Sequence, residues 1–121
     1  MKFSKNDLLG KTGWNQKAKE LIENQNLVEE IKRLTKDSKS FKIGKTGQSL
    51  KDRKNEADYK EAYNYIKEVY ASEDSDLISE LEKELIKIFR KKDERCENKQ
   101  DGGNGLDGEN GQYFVYVVVK I

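Results

Sequence analysis

The chain has no histidine and no proline, and it has one cysteine, one methionine and one tryptophan among 121 residues. Without histidine, Ser-His-Asp and Cys-His catalysis, histidine zinc sites and a histidine general base are excluded. Acid–base work must fall to Tyr, Lys, Glu, Asp or water. The single cysteine, Cys96, permits no internal disulfide and no cysteine-rich metal site. It stands among Asp93, Glu94, Arg95 and Glu97 and does not read as a catalytic thiol. The lack of proline excludes nothing about function. No apolar run approaches membrane-spanning length, and the N-terminus reads without a signal-peptide core, so the expectation is a cytoplasmic protein that does not enter a membrane.

What the chain has in abundance is charge. Charged residues make up 39% against 34% hydrophobic, yet the net charge is only +1. Most of this polar excess must lie on the surface of a modest single core. The charge is uneven along the chain. Residues 31–60 carry ten Lys/Arg against four Asp/Glu, whereas residues 71–121 carry eight against twelve. A basic segment of this kind agrees with an anionic ligand, although a solvated face is the commoner origin of a charge run.

Within the basic segment, Phe41 to Arg53 reads FKIGKTGQSLKDR. This predicts a short strand, a turn carrying Gly44 and Gly47, and a helix start capped by Gln48 or Ser49. Helix-start amides point outward without intrahelical partners, and Lys45, Lys51 and Arg53 add positive charge, so the segment suits a phosphate. It is not a P-loop. That motif needs a glycine five residues before Gly44, where Lys39 stands, and the second Gly-Lys-Thr-Gly, at Gly10–Gly13, has Lys5 in the same place.

The remaining pattern is α+β. A short helix around Asp7–Leu9, ended by Gly10, and a second one capped by Asn15, with Ala18, Leu21 and Ile22 on one stripe, open the chain. A break at Asn24–Asn26 precedes another helix bearing Leu27, Val28, Ile31 and Leu34. Trp14 reads as a core anchor. Tyr65–Ser72 is ambiguous, with helical spacing open from Ala62 through Ile66 to Val69 and tyrosine and β-branched content in favour of a strand. Asp74 or Ser75 caps a long helix with Leu77, Ile78, Leu81, Leu85, Ile88 and Phe89 on one stripe and basic residues at its end. Residues 98–111 form a Gly/Asn/Asp-rich loop that matches neither a stacked calcium repeat nor an EF-hand. Gln112–Ile121, apolar on both faces, is the strongest strand and belongs at a sheet centre.

Three features in order resemble the GIY-YIG nuclease superfamily. They are the Ile43-Gly44-Lys45-Thr46 strand end with Arg53 nine residues after Gly44, the helix segment Glu82-Lys83-Glu84-Leu85-Ile86-Lys87-Ile88-Phe89, and a following asparagine, Asn98. The resemblance spans about Ser40 to Ile121. The family's opening strand is missing before Phe41, and its closest likeness is Phe114-Val115-Tyr116-Val117. The reading is therefore a divergent, circularly permuted form, in which the last strand fills the central slot. Tyr116 would then stand for the family's first tyrosine, with Tyr113 the alternate, in odd register with it and facing the other way. Lys42 falls at the second tyrosine position.

The fold class that follows is a small three-stranded, mostly antiparallel sheet flanked by helices. Residues 1–38 form an N-terminal helical hairpin packed on the core, and residues 39–121 form the core with its C-terminal strand central. The resemblance implies metal-dependent hydrolysis of nucleic-acid phosphodiester bonds. Glu82 would hold Mg2+ or Mn2+, Arg53 would clamp phosphate oxygens, and Tyr116 or Lys42 would orient or deprotonate water. Asn98 would position the backbone or the metal shell, and Lys45 and Thr46 would bind phosphate. A tyrosine or lysine base needs its pKa lowered from about 10. The partner implied is nucleic acid, DNA first, with a homodimer supplying specificity. The competing expectation is an altered module of the same fold that binds nucleic acid, a nucleotide or a protein without cutting.

Overall fold

The computed structural model describes residues 5–47, 50, 62–99 and 111–121. Helix α1 (Lys5–Asn24) and helix α2 (Leu27–Leu34) precede strand β1 (Ser40–Thr46) and strand β2 (Tyr65–Ser72). Helix α3 (Ser75–Lys92) and strand β3 (Tyr113–Lys120) follow. The architecture is α+β, a three-stranded antiparallel sheet flanked by helices with a helical N-terminal region. Strand order is β1-β3-β2, so the C-terminal strand lies in the centre. Its near-continuous apolar sequence explains the position, because a strand paired on both edges and covered on both faces has no use for polar side chains.

Alternation along the strands divides the interior in two. Phe41 and Ile43 of β1 and Val115, Val117 and Val119 of β3 face α3, whose Leu77, Ile78, Leu81, Leu85 and Phe89 are buried against them. Phe41 and Phe89 meet edge to face with centroids 5.8 Å apart. Each large apolar side chain so buried contributes about 1.5–3 kcal/mol. On the opposite face Tyr116 and Val118 pack with Leu50, Tyr63 and Ile66. Asp74 caps α3 by accepting the amides of Asp76 and Leu77, and Arg90, Lys91 and Lys92 occupy its last turn, as the helix dipole favours.

The N-terminal helices differ from the expected pattern in one respect. Helix α1 runs unbroken through Gly10, and Asn15 lies in its interior rather than at a cap. Each interior glycine costs about 1 kcal/mol relative to alanine. Packing offsets that cost, since Ala18 and Ile22 are buried and Trp14 and Leu21 partly so in the core shared with α3. The Asn15 amide donates to Glu80 Oε2 (3.2 Å) and Glu84 Oε1 (2.5 Å), tying α1 to α3. The chain turns from α1 to α2 at Asn26, whose φ of 51° is left-handed, a conformation asparagine tolerates better than most residues. Among the described residues, no helix is long and apolar enough to cross a membrane.

Candidate functional site

Strand β1 organises the site because it lies at the edge of the described sheet, paired along one side with β3. Its outer edge is covered by the segment after α3. Phe41 N donates to Arg95 O (3.0 Å), and Glu97 N donates to Phe41 O (2.8 Å). At the next outward-facing residue a side chain takes over. Ile43 N donates to Asn98 Oδ1 and Asn98 Nδ2 donates to Ile43 O, both at 2.8 Å. The Asn98 carboxamide thus replaces a strand partner at one residue, and it is buried at 9% exposure. This fixes the backbone just before Gly44.

Arg95 anchors the covering segment. Its guanidinium pairs with Asp93, donates to Thr35 O (2.7 Å) and Ser38 O (3.0 Å), and lies 5.5 Å from the Phe41 ring centroid. The hydrogen bond from Arg95 holds the Asp93 carboxyl below its usual range, and the same bond raises Arg95. Burial pushes the Cys96 thiol above its ordinary value, and a hydrogen bond with Asn98 opposes this in part. A thiol raised in this way is a poor nucleophile.

On the helix-facing side of β1, the Lys45 side chain enters the interface with α3. Lys45 Nζ donates to Ser79 Oγ at 3.1 Å and lies 4.0 Å from Glu82 Oε1. Both charged side chains are nearly enclosed, at 7% and 8% exposure. Ser79 and Glu82 are three residues apart on α3 and therefore share one edge of the helix. Glu82 does not pair with its helix neighbour Lys87, which lies 3.8 Å from Glu84 instead.

On the other face, Gly44 is directly opposite Tyr116 and Lys42 is opposite Val118. The Tyr116 ring lies across Gly44, where a Cβ would meet Cζ and the hydroxyl and would come within 2.8 Å of Cε1. Tyr116 is buried, Lys42 half-buried and Thr46 buried. By strand alternation these three share a face, and Lys45 points to the opposite one. Tyr113 packs in the helix-facing core, on the other side of the sheet from Tyr116.

The described candidates therefore surround residues 42–46 without sharing one surface. Lys45 and Glu82 lie beneath the sheet, Asn98 lies on its edge, and Tyr116, Lys42 and Thr46 lie above it. Arg53 falls outside the described residues, as do the proposed cap at Gln48 or Ser49 and most of the loop after Asn98. The donor set has one carboxylate, Glu82, with an ammonium beside it. Among the described residues, no three acidic or cysteine groups gather to hold a metal ion. One carboxylate fits magnesium, which keeps several waters and takes further oxygens from a substrate phosphate, and it does not fit a closed all-protein site.

Ser79 and Arg95 were not singled out from the sequence. Ser79 carried a readable signal, a hydroxyl one turn before Glu82 on the same helix edge. Arg95 carried none, because its acceptors Thr35 and Ser38 are distant in the chain. No family model, no curated protein and no solved structure matches this chain.

Proposed function

We propose that this chain is a metal-dependent, GIY-YIG-like endonuclease that hydrolyses nucleic-acid phosphodiester bonds, with DNA as the first candidate substrate. The observation that carries the reading is the Lys45–Glu82 pair, an ammonium and a carboxylate 4.0 Å apart in the β1–α3 interface. Such a pair offers one group for a phosphate oxygen and one for a divalent cation. Glu82 would hold Mg2+ or Mn2+, which when bound neutralises phosphate charge and stabilises the leaving oxygen. Lys45, on the same side of the sheet as Glu82, would bind the phosphate, and Arg53 would clamp its oxygens in a bidentate manner. Tyr116, Lys42 and Thr46 lie on the opposite face of the sheet and are not brought to this pair, and Asn98 holds the backbone at Ile43 in place. A homodimer would supply the specificity that so small a catalytic unit lacks.

A second reading has its own support. Lys45 and Glu82 are enclosed against each other, and Tyr116 is 1% exposed with its ring over Gly44. Side chains with such packing duties also suit a module that binds nucleic acid, a nucleotide or a protein without cutting it. Cleavage of single- and double-stranded DNA and RNA with magnesium, manganese or EDTA separates the two readings. Metal-dependent cutting supports the nuclease. Retained binding without cutting, indifferent to chelator, supports the binding module, and a steep salt dependence would mark nucleic acid as its partner.

A further inference from the structure

We propose that Lys39, Lys42 and Lys120 form a phosphate-binding surface at one end of the sheet, along which the backbone of a nucleic acid lies, an inference that rests on the nucleic-acid reading above. The strand register places them. Ser40 of β1 stands opposite Lys120 of β3, and Lys42 stands opposite Val118. By strand alternation Ser40, Lys42, Val118 and Lys120 share the sheet face that carries Tyr116, the one turned away from α3. Lys42 and Lys120 are thus diagonal cross-strand neighbours, with Cα atoms about 7–8 Å apart, a separation that long side chains span. Lys39 joins them at the strand end, where its amide donates to Lys120 O at 2.7 Å.

Like charges on neighbouring strands repel, so this arrangement gains from a counter-charge. The described residues supply none. Their ion pairs engage Lys32, Arg33, Lys45, Lys87 and Arg95, and none engages Lys39, Lys42 or Lys120. Among the described strand residues, Glu68 is the acidic one on this face, and it stands on β2 opposite Tyr116, with the central strand between it and β1. Roughly 10 Å separates those two outer strands. Asp37 and Glu97 are exposed nearby in the chain and pair with none of the three lysines. Lys39 and Lys120 are exposed and Lys42 is half-buried, so the surface is accessible.

Phosphate oxygens are the fitting counter-charge. A nucleic-acid backbone carries a charge at each phosphate and a layer of condensed counterions, which ammonium groups release on binding. Ser40, opposite Lys120 on the same face, adds a hydroxyl that can donate to a phosphate oxygen. Contacts of this kind orient a strand without reading its sequence. Lys42 then serves binding on this face, apart from the Lys45–Glu82 pair beneath the sheet.

The test measures binding of a labelled DNA duplex and the matching RNA duplex in EDTA across a salt series. It compares the wild type with the triple variant Lys39→Gln, Lys42→Gln, Lys120→Gln. A control triple, Lys19→Gln, Lys32→Gln, Lys91→Gln, removes the same charge from exposed positions on α1, α2 and α3. Melting curves confirm that all three proteins fold. The slope of log affinity against log salt is expected to fall by about 0.9 for each lysine that meets a phosphate, and affinity at low salt to weaken at least about tenfold in the first triple. The control keeps the wild-type slope. If the half-buried Lys42 change unfolds the first triple, the exposed pair Lys39→Gln, Lys120→Gln carries the test with a slope change of about 2.

Equal losses in the two triples, or no loss in the first, overturn the inference, as does a wild type that binds neither duplex. Cutting in magnesium is scored separately. A wild type that binds through these lysines and cuts nothing upholds the inference and refutes the nuclease. Cutting by the wild type, with a salt slope unchanged in the first triple, refutes the inference alone.

Discussion

Tyr116 and Gly44 are register partners on adjacent strands, and the tyrosine ring occupies the space a side chain at residue 44 would need. Glycine is required here by the close approach of the ring rather than by a positive φ. Gly44→Ala is expected to destabilise the fold by about 1–3 kcal/mol through overpacking. Urea denaturation measures this. Adding Tyr116→Ala should cost less than the sum of the two single changes, since the collision is gone. Strict additivity would contradict the packing described.

The Lys45–Glu82 pair makes the opposite kind of prediction. Lys45→Met leaves the Glu82 carboxylate enclosed without the ammonium beside it, at a cost of about 3–5 kcal/mol. Combining it with Glu82→Gln should cost less than the sum of the two single changes, because the Lys45–Glu82 attraction is lost only once. Chemical denaturation of the two single variants and the double variant measures the coupling.

Asn98 acts on one backbone unit of β1. Asn98→Ala removes both hydrogen bonds to Ile43 and is expected to lower stability by about 1–3 kcal/mol. Amide exchange of Ile43 should accelerate more than that of Val117 in the central strand. Equal acceleration at the two amides would mean global loosening rather than release of the edge.

The clamp on that edge carries a pH signature. Asp93 has a folded-state pKa depressed by its hydrogen bond from Arg95, below the unfolded value of about 3.9. Its contribution is fully present above the unfolded value and is lost as pH falls through the lower folded value. The stability gap between the wild type and Asp93→Asn should therefore be constant near neutrality and shrink below about pH 4. The pair is partly exposed, so the gap is small and weakens with added salt. Denaturation midpoints across the acid range check the direction.

Much of the fold was legible in the sequence because hydrophobic period decides it. The continuous aromatic and valine run of Tyr113–Lys120, apolar on both faces, marked the central strand, the 3.6-residue stripe of α3 marked its buried face, and Asp74 marked the start of that helix. Helix α1 departs from the local pattern at Gly10 and Asn15. Glycine and asparagine are locally read as punctuation, but here the contacts of Asn15 with Glu80 and Glu84 across the helix pair override that preference.

The site was legible only in part. The composition of the turn singled out Lys45, the family resemblance singled out Glu82 and Asn98, and the fold places them around one strand segment. The strand alternation that separates Lys45 from Lys42 was visible in the sequence. That Glu82 lies on the Lys45 side was not, because it depends on which sheet face α3 covers. Ser79 became meaningful only once α3 lay against β1. The Arg95 clamp needed the loop after α3 to fold back on the sheet edge, which no local pattern encodes.

The most direct test of the nuclease account is cleavage of a DNA duplex in magnesium by the wild type and by Glu82→Gln, each confirmed folded. The account predicts cutting by the wild type that EDTA abolishes, and a loss of at least about a hundredfold in the variant, as when a group acting in the transition state is removed. Equal cutting by the two proteins, or chelator-resistant cutting, would contradict the role assigned to Glu82 and with it the central claim.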